Sequence, residues 1–268
     1  MAIAMASLRE GDFVLLASTN LEGRLIGCFS RGVSHCGVML RLPGPDGRLW
    51  FVHSYPDAPE GTDFYVPPGM SAFRAKFELS AGGVRAVPLD KFLSAHANIY
   101  SGGGCEVVRP APPFDEAQLE AMRALVAIHY AKAFETNSWQ LINSCLGCGL
   151  SSWCCATNDS YFCSELAAEM YQAAGRLPKL EASAYSPAEV AESLLGAGAE
   201  RVGAIDGYSA PGNCCALCSL CQSCCFVVSC FAPAVAWRRS ARAPSSEPRQ
   251  RDGATSPQPH QPAASASA

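Results

Sequence analysis

Cys163 stands behind two aromatic residues in DSYFCSELAAEMYQAAG, residues 159 to 175, where a loop gives way to a helix. A free thiol is a weak nucleophile at neutral pH because little of it is thiolate. A helix N-terminus raises that fraction through its unpaired N–H groups and dipole. A neighbouring imidazole does the same as base or counter-ion. With Ser160 as N-cap, Cys163 falls in the first helical turn. Ser160 and Tyr161 then mark a helix N-terminus whose backbone N–H groups suit an oxyanion. The same position also suits a buried cysteine packing as a small hydrophobe. A partner base has to decide between the two.

Five histidines are available as partners: His35, His53, His96, His129 and His260. His260 lies in a Pro- and Ser-rich tail, His129 beside the apolar stripe of a helix, and His96 after the helix-like KFLSA with no evident partner. His35 and His53 differ, because each sits in or beside a short apolar strand and the two strands look joined through a turn. Two imidazoles on neighbouring strands can act as base and orienting group, since one nitrogen faces the thiol and the other is held by an acceptor.

The elements that must position these groups follow from pattern. FVLLAS (13 to 18), HCGVML (35 to 40) and LWFVHS (49 to 54) are short apolar runs, and PGPDG between the last two predicts a hairpin. GVRAVPL and CEVVRP read as further strands. Asp115 and Gln118 predict a capping box, with Phe114 and Leu119 as a hydrophobic staple, for a helix over 115 to 134. Residues 136 to 158 read as an irregular Cys-rich loop. The Cys163 helix carries Phe162, Leu166, Met170 and Ala174 on one face, with Gly175 and Pro178 as its stop. Ser186, Pro187 and Glu189 predict one more capped helix.

Composition sets the outer limits. The chain has 268 residues, 49% apolar and 16% charged, enough to build one sizeable core plus appendages. A net charge of -4 gives no sign of a nucleic-acid partner. MAIAMASLREGDF is too short in apolar residues for a secretory signal, so an intracellular, reduced setting is expected for the fifteen cysteines. The expected division is a folded domain over 1–205, a Cys-rich apolar segment over 206–237 and a disordered Arg/Pro/Ser/Ala tail over 238–268.

Together, GDFVLL (11 to 16), SHCGVML (34 to 40), WFVHS (50 to 54) and YFCSELAAEMYQAAG (161 to 175) resemble the circularly permuted, NlpC-type branch of the papain-fold cysteine hydrolases. That branch includes YiiX-like proteins and relatives of lecithin:retinol acyltransferase. The resemblance covers about residues 8 to 200 and rests on motif order, with the histidine strand ahead of the cysteine helix. It implies an α+β domain in which an antiparallel sheet or barrel packs against helices. It also implies Cys163 as nucleophile, His35 as general base and His53 as the third polar residue, with Asp57 or Glu60 as acidic alternatives for that last role. The implied chemistry is a thioester intermediate formed from an amide or ester, with a small-molecule, lipid or peptide acyl substrate and no cofactor. A same-fold peptidase or amidase and a catalytically silent membrane-tethered adaptor are the rival expectations.

The remaining cysteines cluster. Cys214, Cys215, Cys218, Cys221, Cys224, Cys225 and Cys230 lie in a charge-free stretch that ends at Arg238 and Arg239. The CxxC spacings here, like Cys145, Cys148, Cys154 and Cys155 in the earlier loop, could bind zinc. Zinc sites usually separate two CxxC pairs by a dozen or more residues, whereas Cys215, Cys218, Cys221 and Cys224 run on without a loop, and no metal is expected. Residues 214 to 237 would just span a bilayer, but the cysteines, Gln222 and Pro233 make a poor span. Clustered thiols among apolar residues beside arginines fit S-acylation, with Cys214, Cys215, Cys218, Cys221, Cys224 and Cys225 as candidates. Membrane association through this segment is the expectation.

Overall fold

The apolar runs of the first hundred residues form strands because both faces of the sheet they build are covered. The protein is described by a computed structural model over residues 2–134 and 160–211, apart from 21–22, 25, 28–29, 45–46 and 60–62. Strands β1 (Ala2–Ile3), β2 (Phe13–Ala17), β3 (His35–Arg41), β4 (Leu49–Tyr55), β5 (Gly83–Val87), β6 (Gly104–Arg109) and β9 (Glu200–Ile205) make a seven-stranded sheet. Its order is β1-β9-β6-β2-β3-β4-β5. Neighbours run antiparallel except β1 and β9, which are parallel. A separate parallel pair joins β7 (Ala133–Phe134) to β8 (Ser160–Tyr161). The helices are α1 (Ala72–Glu78), α2 (Leu89–Ala95), α3 (Ala97–Tyr100), α4 (Glu116–His129), α5 (Cys163–Ala173) and α6 (Pro187–Gly196). This is a mixed α+β architecture.

Alternation along β3 and β4 divides the core in two. Cys36, Val38, Leu40, Trp50 and Val52 join Met122, Val126, Leu166 and Met170 on the face covered by α4 and α5. Met39, Phe51 and Tyr55 join Leu16, Phe92, Leu93 and Tyr100 on the opposite face. Burying one such side chain contributes about 1.5–3 kcal/mol, so neither face tolerates a polar residue without a partner. The PGPDG hairpin joins β3 and β4 as expected, in the register Val38↔Val52, Leu40↔Trp50.

The capping boxes are where the sequence places them. Asp115 accepts from the Gln118 N–H at 2.8 Å, and Gln118 accepts from the Asp115 N–H at 3.2 Å. Ser186 and Glu189 close the same box around Pro187 at the start of α6. Helix α5 stops before Gly175, whose φ of +70° only glycine adopts easily. Helix α4, expected to run to residue 134, ends at His129 instead. Ala131 takes φ +61°, its N–H donates to the Val84 carbonyl at 2.8 Å, and the Lys132 carbonyl accepts from Val84 at 2.9 Å. Pairing with the free edge of β5 thus overrides helix propensity, and no glycine announces the turn.

Backbone contacts continue past residue 205. Cys105 donates its N–H to the Ser209 carbonyl at 2.9 Å, and the Ser209 hydroxyl donates to the Gly103 carbonyl at 2.6 Å. All described residues belong to one compact unit, Met1–Cys225. Among them, no helix is long and apolar enough to cross a membrane, and no group of three or more potential metal ligands occurs. Cys145, Cys148, Cys154, Cys155 and the cysteines from 214 onward, with the acylation, span and metal readings attached to them, lie outside the described residues.

Gly37 carries a steric requirement. A Cβ there would stand 2.4 Å from the Phe51 ring and 2.6 Å from the Val52 carbonyl oxygen. Gly37→Ala is expected to destabilise the protein by about 1–3 kcal/mol, read as a lower urea midpoint at unchanged slope. An unchanged midpoint would show that Phe51 yields without cost.

Candidate active site

The position of Cys163 is set by the strand that precedes it. Pairing with Ala133 and Phe134 holds Ser160 and Tyr161 extended. The Ser54 hydroxyl donates to the Tyr161 carbonyl at 2.8 Å, which ties this strand to β4. Phe162 is the last extended residue, at φ −77° and ψ 159°, and Cys163 is the first residue of α5. Ser160 is therefore not the N-cap, and neither it nor Tyr161 belongs to the helix N-terminus. The cap is Phe162, which has no side-chain acceptor; the Glu165 carboxylate instead accepts from the Phe162 N–H at 3.4 Å. The first-turn N–H groups that an oxyanion would meet belong to Cys163 and Ser164. Tyr161 has a different job: its ring lies 4.7 Å from that of His129, and its hydroxyl donates to Glu169 at 3.1 Å.

Helix α5, which Cys163 opens, packs against β3 and β4. Pairing of β3 with β4 runs from Arg41↔Leu49 to Val38↔Val52, while β3 pairs with β2 as far as His35. Cys36, next to His35 in β3, lies in the same packed cluster as Cys163. Cys36 is fully buried and Cys163 is 9% exposed. The Cys36 thiol, as hydrogen-bond partner, is the main reason the Cys163 pKa lies well below an ordinary thiol's; burial opposes it, and the charge and hydrogen bond of His35 and the Cys36 N–H add to it. Burial, then the contact with Cys163, pushes the Cys36 thiol well above its ordinary value. Of the two thiols, Cys163 is therefore the one that gives up its proton more readily.

Behind His35 runs a buried chain of hydrogen bonds. His35 Nε2 and His53 Nδ1 are 2.9 Å apart, and Arg85 Nε donates to His53 Nε2 at 3.4 Å. Arg85 also donates to the Asp57 carbonyl and lies over the Tyr55 ring at 5.2 Å. His53 stacks on Phe51 at 4.7 Å and meets the edge of Phe92 at 4.7 Å, which fixes its plane. Burial, followed by the Arg85 charge and the imidazoles of His35 and His96, holds the His53 pKa well below 6.5. His53 is therefore neutral near pH 7.

Proton positions follow from donor rules. Arginine only donates, so His53 Nε2 accepts and its single proton sits on Nδ1. That proton points at His35 Nε2, leaving His35 Nδ1 to face the thiol. For His35 to become an imidazolium, a hydrogen must appear on Nε2. His53 must then shift its proton to Nε2 and release the 3.4 Å Arg85 bond, the longer of the two links.

Of the residues singled out in the sequence, Cys163, His35 and His53 come together. Asp57 contributes only its backbone carbonyl and its side chain is exposed, so it does not take the place of His53; Glu60 lies outside the described residues. His96 is a buried member of the aromatic cluster, bonded through Nδ1 to the Phe92 carbonyl at 3.0 Å. Two residues went unread. Cys36 neighbours His35 in sequence, and strand alternation sends adjacent side chains to opposite faces, so pattern alone gives no reason to group both with Cys163. Arg85 had a signal, a lone cation inside the apolar run GVRAV, in direct register with His53.

No known protein-family profile matches the chain, and no curated protein matches it. Among solved structures it is similar to the metalloprotein yiiX from Escherichia coli O157:H7, with a TM-score of 0.38 and 14% identity over 62% of this chain. The match spans 66% of that protein, just under two thirds of its length. A likeness this weak adds nothing to the geometry above.

Proposed function

We propose that the chain is a thiol-dependent hydrolase or acyltransferase acting on an amide or ester, with Cys163 as nucleophile. The observation that carries this reading is the buried His35–His53 hydrogen bond at 2.9 Å, on the strands against which the helix opened by Cys163 packs; the lowered Cys163 pKa, to which His35 contributes, agrees with it. Perturbed thiols backed by an imidazole pair are the arrangement that nucleophilic acyl chemistry needs. The sulfur attacks the acyl carbonyl, and the oxyanion so formed faces the first-turn N–H groups of α5. Collapse gives a thioester while an imidazolium His35 protonates the leaving group. His35 then takes a proton from water, an amine or a hydroxyl as that acceptor attacks.

The order of the residues, His35 and His53 ahead of Cys163, agrees with the permuted papain-type arrangement that the motifs resemble. The charge-free Cys-rich stretch followed by arginines supports a membrane-surface setting, and with it a lipid-linked acyl substrate.

Alkylation tests the reading. The full chain is treated near pH 6.5 with a limiting amount of iodoacetamide, and labelling is resolved peptide by peptide. Cys163 is expected to label far faster than Cys105, which is also buried and whose pKa burial pushes up to about 12. Equal rates at Cys163 and Cys105 in the folded protein would remove the enzyme and leave a non-catalytic binding protein.

A further inference from the structure

Helix α1 turns an apolar stripe to solvent. Phe73 and Phe77, one helical turn apart, are 84% and 72% exposed. The other large hydrophobic side chains exposed among the described residues, Ile128 and Leu180, lie on other parts of the chain. Ala75 and Leu79 are buried, in the core cluster that holds Phe92 and Leu93. At about 100° of rotation per residue, Ala75 and Leu79 fall opposite the two phenylalanines, and Arg74 and Lys76 fall on either side of them. One side of α1 is therefore anchored, and the other offers two phenyl rings between two cations. Glu78 bonds Arg74 at 2.7 Å and lies on that flank alone.

We propose that this face of α1 docks on an anionic lipid bilayer, with the phenyl rings in the interface and the flanking cations among acidic headgroups. Charge complementarity selects this occupant. An apolar protein groove needs the rings alone, whereas rings edged by Arg and Lys suit a boundary between hydrocarbon and phosphate. The chain as a whole carries a net charge of -4, so these cations go against its trend.

Register puts α1 near the candidate site. His35, Tyr55 and Gly83 share one end of the sheet: Leu16 pairs with His35, the His35 and Tyr55 rings are 5.2 Å apart, and Tyr55 pairs with Gly83. Helix α1 reaches Gly83 through the short turn Leu79–Ala81, and that turn packs against β7, which pairs with the strand leading into Cys163. The described chain ends at this end of the sheet too. Gly104 pairs with Ala17, and a Cβ on it would stand 2.5 Å from the Pro211 nitrogen. The charge-free stretch from Cys214, with arginines after it, begins just beyond in sequence. As an account of how a lipid-linked acyl group is brought to Cys163, the proposal rests on the acyl-chemistry reading; as a docking surface it stands without it.

Vesicle binding tests it. The full chain, with its thiols reduced and free of acyl groups, is sedimented with vesicles of phosphatidylcholine alone or mixed with phosphatidylserine, beside hydrolysis of p-nitrophenyl acetate. The wild type is expected to prefer the mixed vesicles and to bind them less as salt rises. Phe73→Ser combined with Phe77→Ser should lower the partition about tenfold or more, with ester turnover and urea midpoint unchanged because both rings are exposed. Lys76→Glu should weaken binding to the mixed vesicles only. Should the double variant fail to fold, Lys76→Glu and the salt dependence of the wild type decide. Equal partition of wild type and double variant overturns the proposal and leaves any binding to the Cys-rich segment. Self-association without vesicles that the double variant loses puts a second copy on this face and overturns it as well. A wild type that hydrolyses the ester and binds no vesicle removes the docking surface and leaves the acyl chemistry standing. Phe-dependent vesicle binding by a chain that turns over no ester supports the surface and counts against that chemistry.

Discussion

His35→Ala is expected to lower turnover of p-nitrophenyl acetate by about 10²–10⁴-fold, the usual contribution of a general acid–base. The variant loses the imidazole that helps lower the Cys163 pKa. Alkylation of Cys163 should suffer less. Its low pKa comes first from the Cys36 hydrogen bond, and both the Cys36 thiol and its N–H remain in the variant. The midpoint of the alkylation pH profile should therefore move up toward an ordinary thiol without reaching it. Turnover and alkylation thus separate two duties, proton transfer by His35 and charge stabilisation shared with Cys36. A folded variant with unchanged turnover and an unchanged midpoint would remove His35 from the site.

Arg85→Met is expected to cost roughly 2–4 kcal/mol of stability at pH 7.5, from buried acceptors left without a donor at about 1–3 kcal/mol each. Those acceptors are the buried His53 Nε2 and the part-buried Asp57 carbonyl, both bonded by Arg85, which is 1% exposed. The loss should shrink as pH falls. His53 is a base whose pKa is depressed in the folded state, so the unfolded chain binds its proton more readily. Its contribution is fully present above 6.5 and is lost as pH falls from 6.5 toward the folded value, at up to about 1.4 kcal/mol per pH unit. Arg85 is the second cause of that depression, after burial. Without it, the folded state accepts the proton more easily and the acid-side loss is smaller. Urea midpoints for wild type and variant at pH 7.5 and 5.0 read the difference directly. A gap of equal size at both values would show that Arg85 acts on packing alone.

Much of this arrangement is written in local signals. Short apolar runs bounded by PGPDG give the β3–β4 hairpin, and Asp115 with Gln118 and Ser186 with Glu189 give two helix starts, because hairpins and caps depend on neighbours in sequence. Cys163, His35 and His53 were legible as a set because each is a reactive type in a patterned setting. What escaped depends on distant pairing. The β8 strand forms only against Ala133 and Phe134, and it moves the helix start from Ser160 to Phe162. The end of α4 is decided by the edge of β5. The influence of Cys36 on Cys163 joins positions far apart in sequence, and β9 finds its place by pairing with β6 and β1 at opposite ends of the chain.

The bond from Ser54 to Tyr161, which holds α5 against the sheet, joins positions 107 residues apart. Contacts that far apart close late and slowly, since the loop entropy is spent before they reward it. During refolding the strands around His35 and His53 have near neighbours to condense upon, whereas Cys163 waits for a closure across 107 residues. Its fast alkylation is thus a clock for the docking of α5: a pulse of iodoacetamide at successive refolding times finds an ordinary thiol at position 163 until α5 seats, and an activated one afterwards.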